Sequence, residues 1–438
     1  MTPPPEASGR GKWMAFLAAF LGWMFDGFEM GLFPLAGRPA LRELIPAETL
    51  GDAPDKVVGV WFGYIIAIFL VGAACGGVLF GWLGDRVGRV RAMVWSVATY
   101  SVFSGLCALV NAPWQLGVLR FIASLGMGGE WALGVALVME IWPAGSRPLL
   151  AGLIGAAANV GFLMVGFIAL GLGRFVGGIG EALGTFLPEK TVQALLANGG
   201  WRMLFVVGAV PAVLTFLIRL FVPESERWKQ ATVGAPKPRV VDIFQPGIRR
   251  STILGATLAG LALLGTWGSL QWIPTWADKF SGAKGAREWS QIWSAGGAIV
   301  FTIVAALLAQ KFNRRIAYFG LCLLSLAVSQ YLFRAQPAYG NYFLFIVFLA
   351  GGFTASFYGW LPLYLPELFP TRVRATGSGF SFNAGRIIAA GGTLVSGQLV
   401  AAFGGDYARM CAVISLIYVV GMVVIWLCPE TKGKPLPE

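Results

Sequence analysis

Apolar residues in this chain come in long runs, separated by short segments rich in charge, glycine and proline. An apolar helix needs about 20 residues to cross the hydrocarbon core of a bilayer. Twelve runs qualify: 13–37, 57–82, 92–111, 114–142, 148–172, 201–222, 252–276, 291–310, 316–334, 341–365, 376–403 and 407–428. Helices and closed barrels are the only backbones that cross lipid with their polar groups satisfied, and these runs are too long and too uniformly apolar for barrel strands. The pattern therefore predicts an all-α membrane protein with twelve transmembrane helices. The polar stretch 223–250, with Arg227, Lys229, Lys237, Arg239, Arg249 and Arg250, reads as a cytoplasmic linker between a six-helix bundle over 1–222 and a second over 251–438. In the loop near 173–200, Pro188–Asn198 predicts a short surface helix ending at Gly199.

Composition makes the bilayer an obligatory partner. The chain is 57% hydrophobic and 12% charged, with a mean hydropathy of +0.71, against roughly 25% charged residues in soluble domains. The net charge of +12 lies in short loops between the runs, which makes it topology information rather than a nucleic-acid surface. With both ends inside, about twenty Lys and Arg fall on the cytoplasmic side and eleven outside, the bias that orients membrane proteins. The leader Met1–Lys12 is polar, and the first run contains Asp26 and Glu29, so no cleaved signal peptide is expected. The expected location is the cell membrane. There is no histidine, and five cysteines at irregular spacing give neither a disulfide framework nor a metal site. Proton chemistry near neutral pH thus falls to carboxylates, and no cofactor or metal is predicted. A membrane enzyme would need a nucleophile–base pair, metal spacing or a phosphate loop, and the sequence offers none of them.

The two halves repeat one another. Glu140-Ile-Trp-Pro143 with Arg147 and Gly152 matches Glu367-Leu-Phe-Pro370 with Arg374 and Gly379 at identical offsets. Each half then closes on Pro-Glu, at Pro223-Glu224 and Pro429-Glu430. Parallel repeats of this kind place the substrate site near midplane between the halves.

Between the second and third runs stands Gly81-Trp-Leu-Gly84-Asp85-Arg86-Val-Gly88-Arg89-Val-Arg91, which resembles the loop motif of the major facilitator superfamily. Pro223-Glu-Ser-Glu-Arg227 and Pro429-Glu-Thr-Lys-Gly433 look like sugar-porter endings. Asp26-Gly27-Phe28-Glu29, Pro366-Glu-Leu-Phe-Pro-Thr-Arg372 and Asn383-Ala-Gly385-Arg386 are similar to the metabolite:proton symporter branch, which includes aromatic-acid, sialate and nicotinate carriers. The resemblance implies two pseudo-symmetric six-helix bundles and secondary transport by alternating access. The double-glutamine signature of sugar porters is replaced by Thr266-Trp267-Gly-Ser-Leu-Gln271, which argues against a hexose.

Charges in the hydrocarbon zone cost at least about 2.5–3.5 kcal/mol each and are functional candidates by default. Asp26, Glu29, Arg120, Glu130 and Arg386 qualify. Counted at 1.5 Å per residue, Glu29 and Arg120 sit at comparable depth, and Asp26 is one turn deeper on the same face as Glu29. Two close acids resist joint ionisation while Arg120 favours it, so Asp26, Glu29 and Arg120 form the expected proton-coupling set. The resemblance points to Glu29 as the main carrier. Arg386 is expected to grip an anionic substrate, with Asn383, Tyr358, Trp267, Gln271 and Glu130 shaping the cavity. At the cytoplasmic face, Gly81, Asp85, Arg86, Gly88, Arg89, Glu140, Arg147, Glu224, Glu367, Arg372 and Arg374 are expected to form an interdomain latch. The function expected is proton-coupled import of a small organic anion by a monomer. A proton-coupled sugar or polyol carrier is the alternative, followed by a non-transporting sensor.

Overall fold

A computed structural model describes residues 9–87, 89–129, 147–211, 213, 240–370 and 373–432. Every predicted run is helical over most of its described length, and no strand occurs among the described residues. In the first half these are α1 (Gly9–Leu44), α2 (Pro54–Val87), α3 (Arg89–Leu106), α4 (Pro113–Met127), α5 (Arg147–Arg174) and α6 (Glu189–Val207). In the second half they are α7 (Arg249–Ser281), α8 (Ala286–Lys311), α9 (Arg314–Ala335), α10 (Asn341–Glu367), α11 (Arg374–Ala402) and α12 (Tyr407–Leu427). Most helices overrun their apolar stretch by a few residues, because a helix satisfies its own backbone beyond the hydrocarbon. α6 is broken at Ala197–Gly200, where Asn198, Gly199 and Gly200 take φ of +49°, +76° and +68°. The predicted surface helix ends there, and the membrane helix begins at Trp201.

Among the described residues, eight helices are both long and apolar enough to cross a membrane. α1 and α11 have the length but fall short in apolarity. They carry Asp26, Glu29 and Arg386, so the helices that look least membrane-like are the ones bearing candidate chemistry.

The chain alternates between a near face, holding Lys311 and Leu427, and a far face, holding Glu43 and Asp278. The halves meet most extensively along α2 against α11 and α5 against α8. Small residues permit this approach. A Cβ at Gly63 of α2 would stand 2.8 Å from the Thr393 carbonyl oxygen and 2.9 Å from Gly397 Cα, both on α11. At the near face the closing Pro-Glu segment folds back onto α9. Glu430 accepts hydrogen bonds from the backbone N–H groups of Arg314, Arg315, Thr431 and Lys432 at 3.0–3.1 Å, placing a carboxylate on the positive end of the helix. Burial works to raise its pKa, but these four donors outweigh it and hold Glu430 below the ordinary carboxylate value.

Candidate substrate and proton-coupling site

A cavity of about 80 Å³ lies between the halves, several times what one water molecule requires. The first half contributes Trp23, Met30, Asn159 and Phe162 to its wall, and the second contributes Trp267, Gln271, Gln291, Tyr358, Phe382 and Arg386. It is mainly apolar with a few polar groups, the usual make-up of a small-molecule site. Tyr358 shares the second half's wall with Thr266, Trp267 and Arg386.

The two helix-one acids do not share one partner, as their spacing suggested. Glu29 turns into the first half, where Arg120 and the Ser104 hydroxyl both donate to it. All three residues are buried, and the Arg120 guanidinium lies 4.4 Å from the centroid of the Phe69 ring. Asp26 is also fully buried, but it acts electrostatically on Arg386 in the opposite half. Positions i and i+3 on a helix are neighbours yet point about 60° apart, enough for each acid to serve a different arginine. Glu29 is thus paired with Arg120, while Asp26 lies within electrostatic reach of a different arginine, Arg386.

A void of about 10 Å³, room for roughly one water, is lined by Arg120 and Phe69 together with Trp267 and Gln271. Trp267 and Gln271 face both this void and the main cavity. They stand between the Glu29–Arg120 couple and the space a substrate would occupy.

Arg386 is 4% exposed and lies 5.1 Å from the centroid of the Phe382 ring. It donates to Asn383 Oδ1 at 3.1 Å and to the Ala73 carbonyl oxygen of α2 at 3.3 Å. Asn383, expected to touch substrate, is not on the cavity wall; it braces Arg386 from one turn away. Glu130, Glu140, Glu224, Arg372 and Gly88 lie outside the described residues. So do the side chains of Asp85, Arg86, Arg89, Arg147 and Arg374 and the surroundings of Gly81. Glu367 is described, and its ion pair is within its own half, two-pronged to Arg314 at 2.7 and 3.0 Å.

Sequence reasoning missed a charge network that joins the halves at the far face. Arg38 of α1 binds Asp278 of α7 at 2.6 Å and Asp55 of α2 at 3.3 Å. Lys279 of α7 reaches Asp55 at 3.4 Å and the Gly405 carbonyl oxygen at 2.8 Å. Arg42 adds a bond to Asp55 at 3.1 Å, and Arg287 of α8 donates to the Leu35 carbonyl oxygen at 2.9 Å. These residues come from four separate loop-proximal segments, so no sequence spacing signals the cluster. These contacts tie the two halves together on this side of the cavity.

Two helical halves around a buried, sparsely charged cavity make a carrier of the major facilitator type, a membrane transporter and not an enzyme. Residues 14–235 and 279–438 match the model of the sugar (and other) transporter family, and the chain belongs to that family. A Haemophilus influenzae protein is 31% identical over 97% of this chain and 98% of its own. The cis,cis-muconate transport protein of Acinetobacter baylyi is 28% identical over 94% of this chain and 95% of its own. A niacin transporter of the same organism is 24% identical over 95% and 93%. Among solved structures, the xylose transporter of Escherichia coli in a partially occluded inward-open conformation superposes with a TM-score of 0.73. It covers 98% of this chain and 100% of that one at 18% identity, a likeness of fold.

Proposed function

We propose that the protein is a symporter of the cell membrane that imports a small organic anion together with a proton. Its near face is cytoplasmic on the Lys/Arg bias, and the chain works as a monomer. The observation that carries this reading is Arg386, a buried guanidinium on the wall of the cavity, within electrostatic reach of Asp26 from the other half. A fixed, weakly hydrated guanidinium suits a carboxylate. The relatives that transport muconate and niacin agree with a carboxylate cargo.

The coupling follows from exchange of partners. An incoming carboxylate competes with Asp26 for Arg386. A carboxylate deprived of its cation in a desolvated site takes up a proton, so substrate binding at Arg386 favours protonation of Asp26. Glu29, held by the Arg120 that lines the void beside Gln271, supplies a second acid on the proton's route. Rocking of the halves about the α2–α11 and α5–α8 contacts then exchanges access between faces.

Current recordings on proteoliposomes test the reading. A monoanion carried with one proton moves no net charge, whereas a neutral sugar carried with a proton does, and 100 mV then contributes about 2.3 kcal/mol per charge. Organic-acid uptake driven by a pH gradient without current is expected, together with its loss in Arg386→Ala. Sugar-evoked current, or unchanged acid uptake in that variant, overturns the reading.

A further inference from the structure

Gln291, near the far-face end of α8, is 4% exposed and lines the cavity with Arg386. Its amide nitrogen crosses to the first half and donates to the carbonyl oxygens of Gly31 on α1 and Phe162 on α5, each at 3.1 Å. Both amide hydrogens are thereby used. Turning the amide over would set its oxygen against two carbonyl oxygens, so the network fixes which end is which. Gly31 makes the close approach possible: a Cβ there would lie 3.1 Å from the Phe162 ring and 3.2 Å from the Gln291 nitrogen. The remaining end of the amide, Gln291 Oε1, is buried and has no hydrogen-bond partner. Buried polar atoms in native proteins nearly always have one, and an acceptor left empty is a marked cost. Gln291 stands on the cavity wall, so a substrate bound there is a source for the donor.

We infer that Gln291 is a specificity-determining contact: its side-chain oxygen accepts a hydrogen bond from an N–H or O–H of the substrate. The cargo is then an organic anion that carries a donor apart from the carboxylate held by Arg386, such as a hydroxy or amino carboxylate. This rests on the reading of Arg386 as the anion site and adds a second point of recognition to it. The geometry also ties recognition to closure. The amide is oriented by Gly31 and Phe162, which belong to the other half, so its oxygen is aimed only while the far face is shut. A substrate satisfying Gln291 therefore stabilises the state with that side closed, whereas one lacking the donor leaves the acceptor empty in that state. Sites built to bond a substrate hydroxyl or amine discriminate against the analogue lacking it for this reason.

The test uses purified full-length protein and a panel of matched carboxylate pairs, aliphatic and ring-bearing, that differ by one hydroxyl or amino group. Binding is followed by thermal shift and by tryptophan fluorescence, on wild type, Gln291→Met and Arg386→Gln. Expected are a preference of about tenfold or more for the donor-bearing member of the best-bound pair, its collapse to within about twofold in Gln291→Met, and loss of both members in Arg386→Gln. The wild-type preference needs no variant to fold. If the anions bind and depend on Arg386 but no pair shows a preference, or the preference survives in Gln291→Met, the assignment of Gln291 fails and the anion site stands. If binding is indifferent to Arg386→Gln, or no carboxylate binds, the underlying anion reading fails with it.

Discussion

At the scale of single residues, the two helix-one acids should separate in mutation. Glu29 is sealed against Arg120, so Glu29→Gln leaves a buried guanidinium without its counter-charge. Breaking a buried pair from one side typically costs about 3–5 kcal/mol, and a lowered unfolding temperature in detergent is the expected result. Asp26→Asn should act differently, because a substrate carboxylate can take its place at Arg386. Counterflow exchange of labelled substrate should persist, while accumulation against a gradient under an imposed pH difference should be lost. If Asp26→Asn still concentrates substrate, Asp26 is not the proton's seat. The candidates themselves were legible in the sequence, since five ionisable residues in apolar runs announce themselves. The pairing of Glu29 with Arg120 was legible too, from their matched depth, but the surroundings of Asp26 were not. Whether Asp26 faces Glu29 or Arg386 depends on the rotation of α1 against α5 and α11, and the glycine contacts that set it, such as Gly27 against Ala158, leave no periodic trace. Gln291 was missed for a related reason: an uncharged polar residue in an apolar run raises no alarm until its amide is seen bridging two helices.

At the scale of elements, the described helices were legible to within several residues at each end, because the bilayer forces length and apolarity together. The repeat marked the closing Pro-Glu, and its physical role emerges from the cap on α9. Glu430 is half-buried, so its contribution is that of one cap, about 1 kcal/mol, at the modest end once solvent screening is counted. Its pKa is lowered on folding, so the stabilisation is full above the ordinary carboxylate value and is lost as pH falls through the lower folded value. Glu430→Gln should lower the unfolding temperature by a degree or so at pH 7 and remove the part of the acid-side decline that this carboxylate contributes. Equal sensitivity of variant and wild type across pH 3–7 would contradict the cap. The α2–α11 crossing offers a sharper test. The atoms nearest a Cβ at Gly63 are backbone atoms of Thr393 and Gly397, which cannot swing aside as a side chain can. Gly63→Val should therefore wedge the halves apart on the far side and stop transport with the protein still folded. Labelling of a cysteine introduced on the cavity wall, with reagent added from the far face, should rise in that variant.

At the scale of the whole molecule, what must be explained is how the far face stays shut without being locked. Its closure rests on charges drawn from α1, α2, α7 and α8, most of them partly exposed. Isolated surface ion pairs are worth about 0.2–1 kcal/mol, too little to hold a conformation alone. Here they are shared: Asp55 serves Arg38, Arg42 and Lys279, and Asp278 serves Arg38 and Arg287. A carrier needs such a moderate sum, since a latch worth many kcal/mol would trap one state. Removing one hub should shift the balance by about 1–2 kcal/mol, roughly 5- to 30-fold in the ratio of far-closed to far-open molecules. Asp278→Asn, read by spin-label distances across the far face, should populate the open state. Because these charges meet solvent, raising salt from 0.05 to 0.5 M should move wild type in the same direction and move Asp278→Asn less. A buried contact such as Gln291 to Gly31 would resist salt, so a salt-insensitive equilibrium would transfer the closing role from the charged rim to the uncharged contacts beneath it.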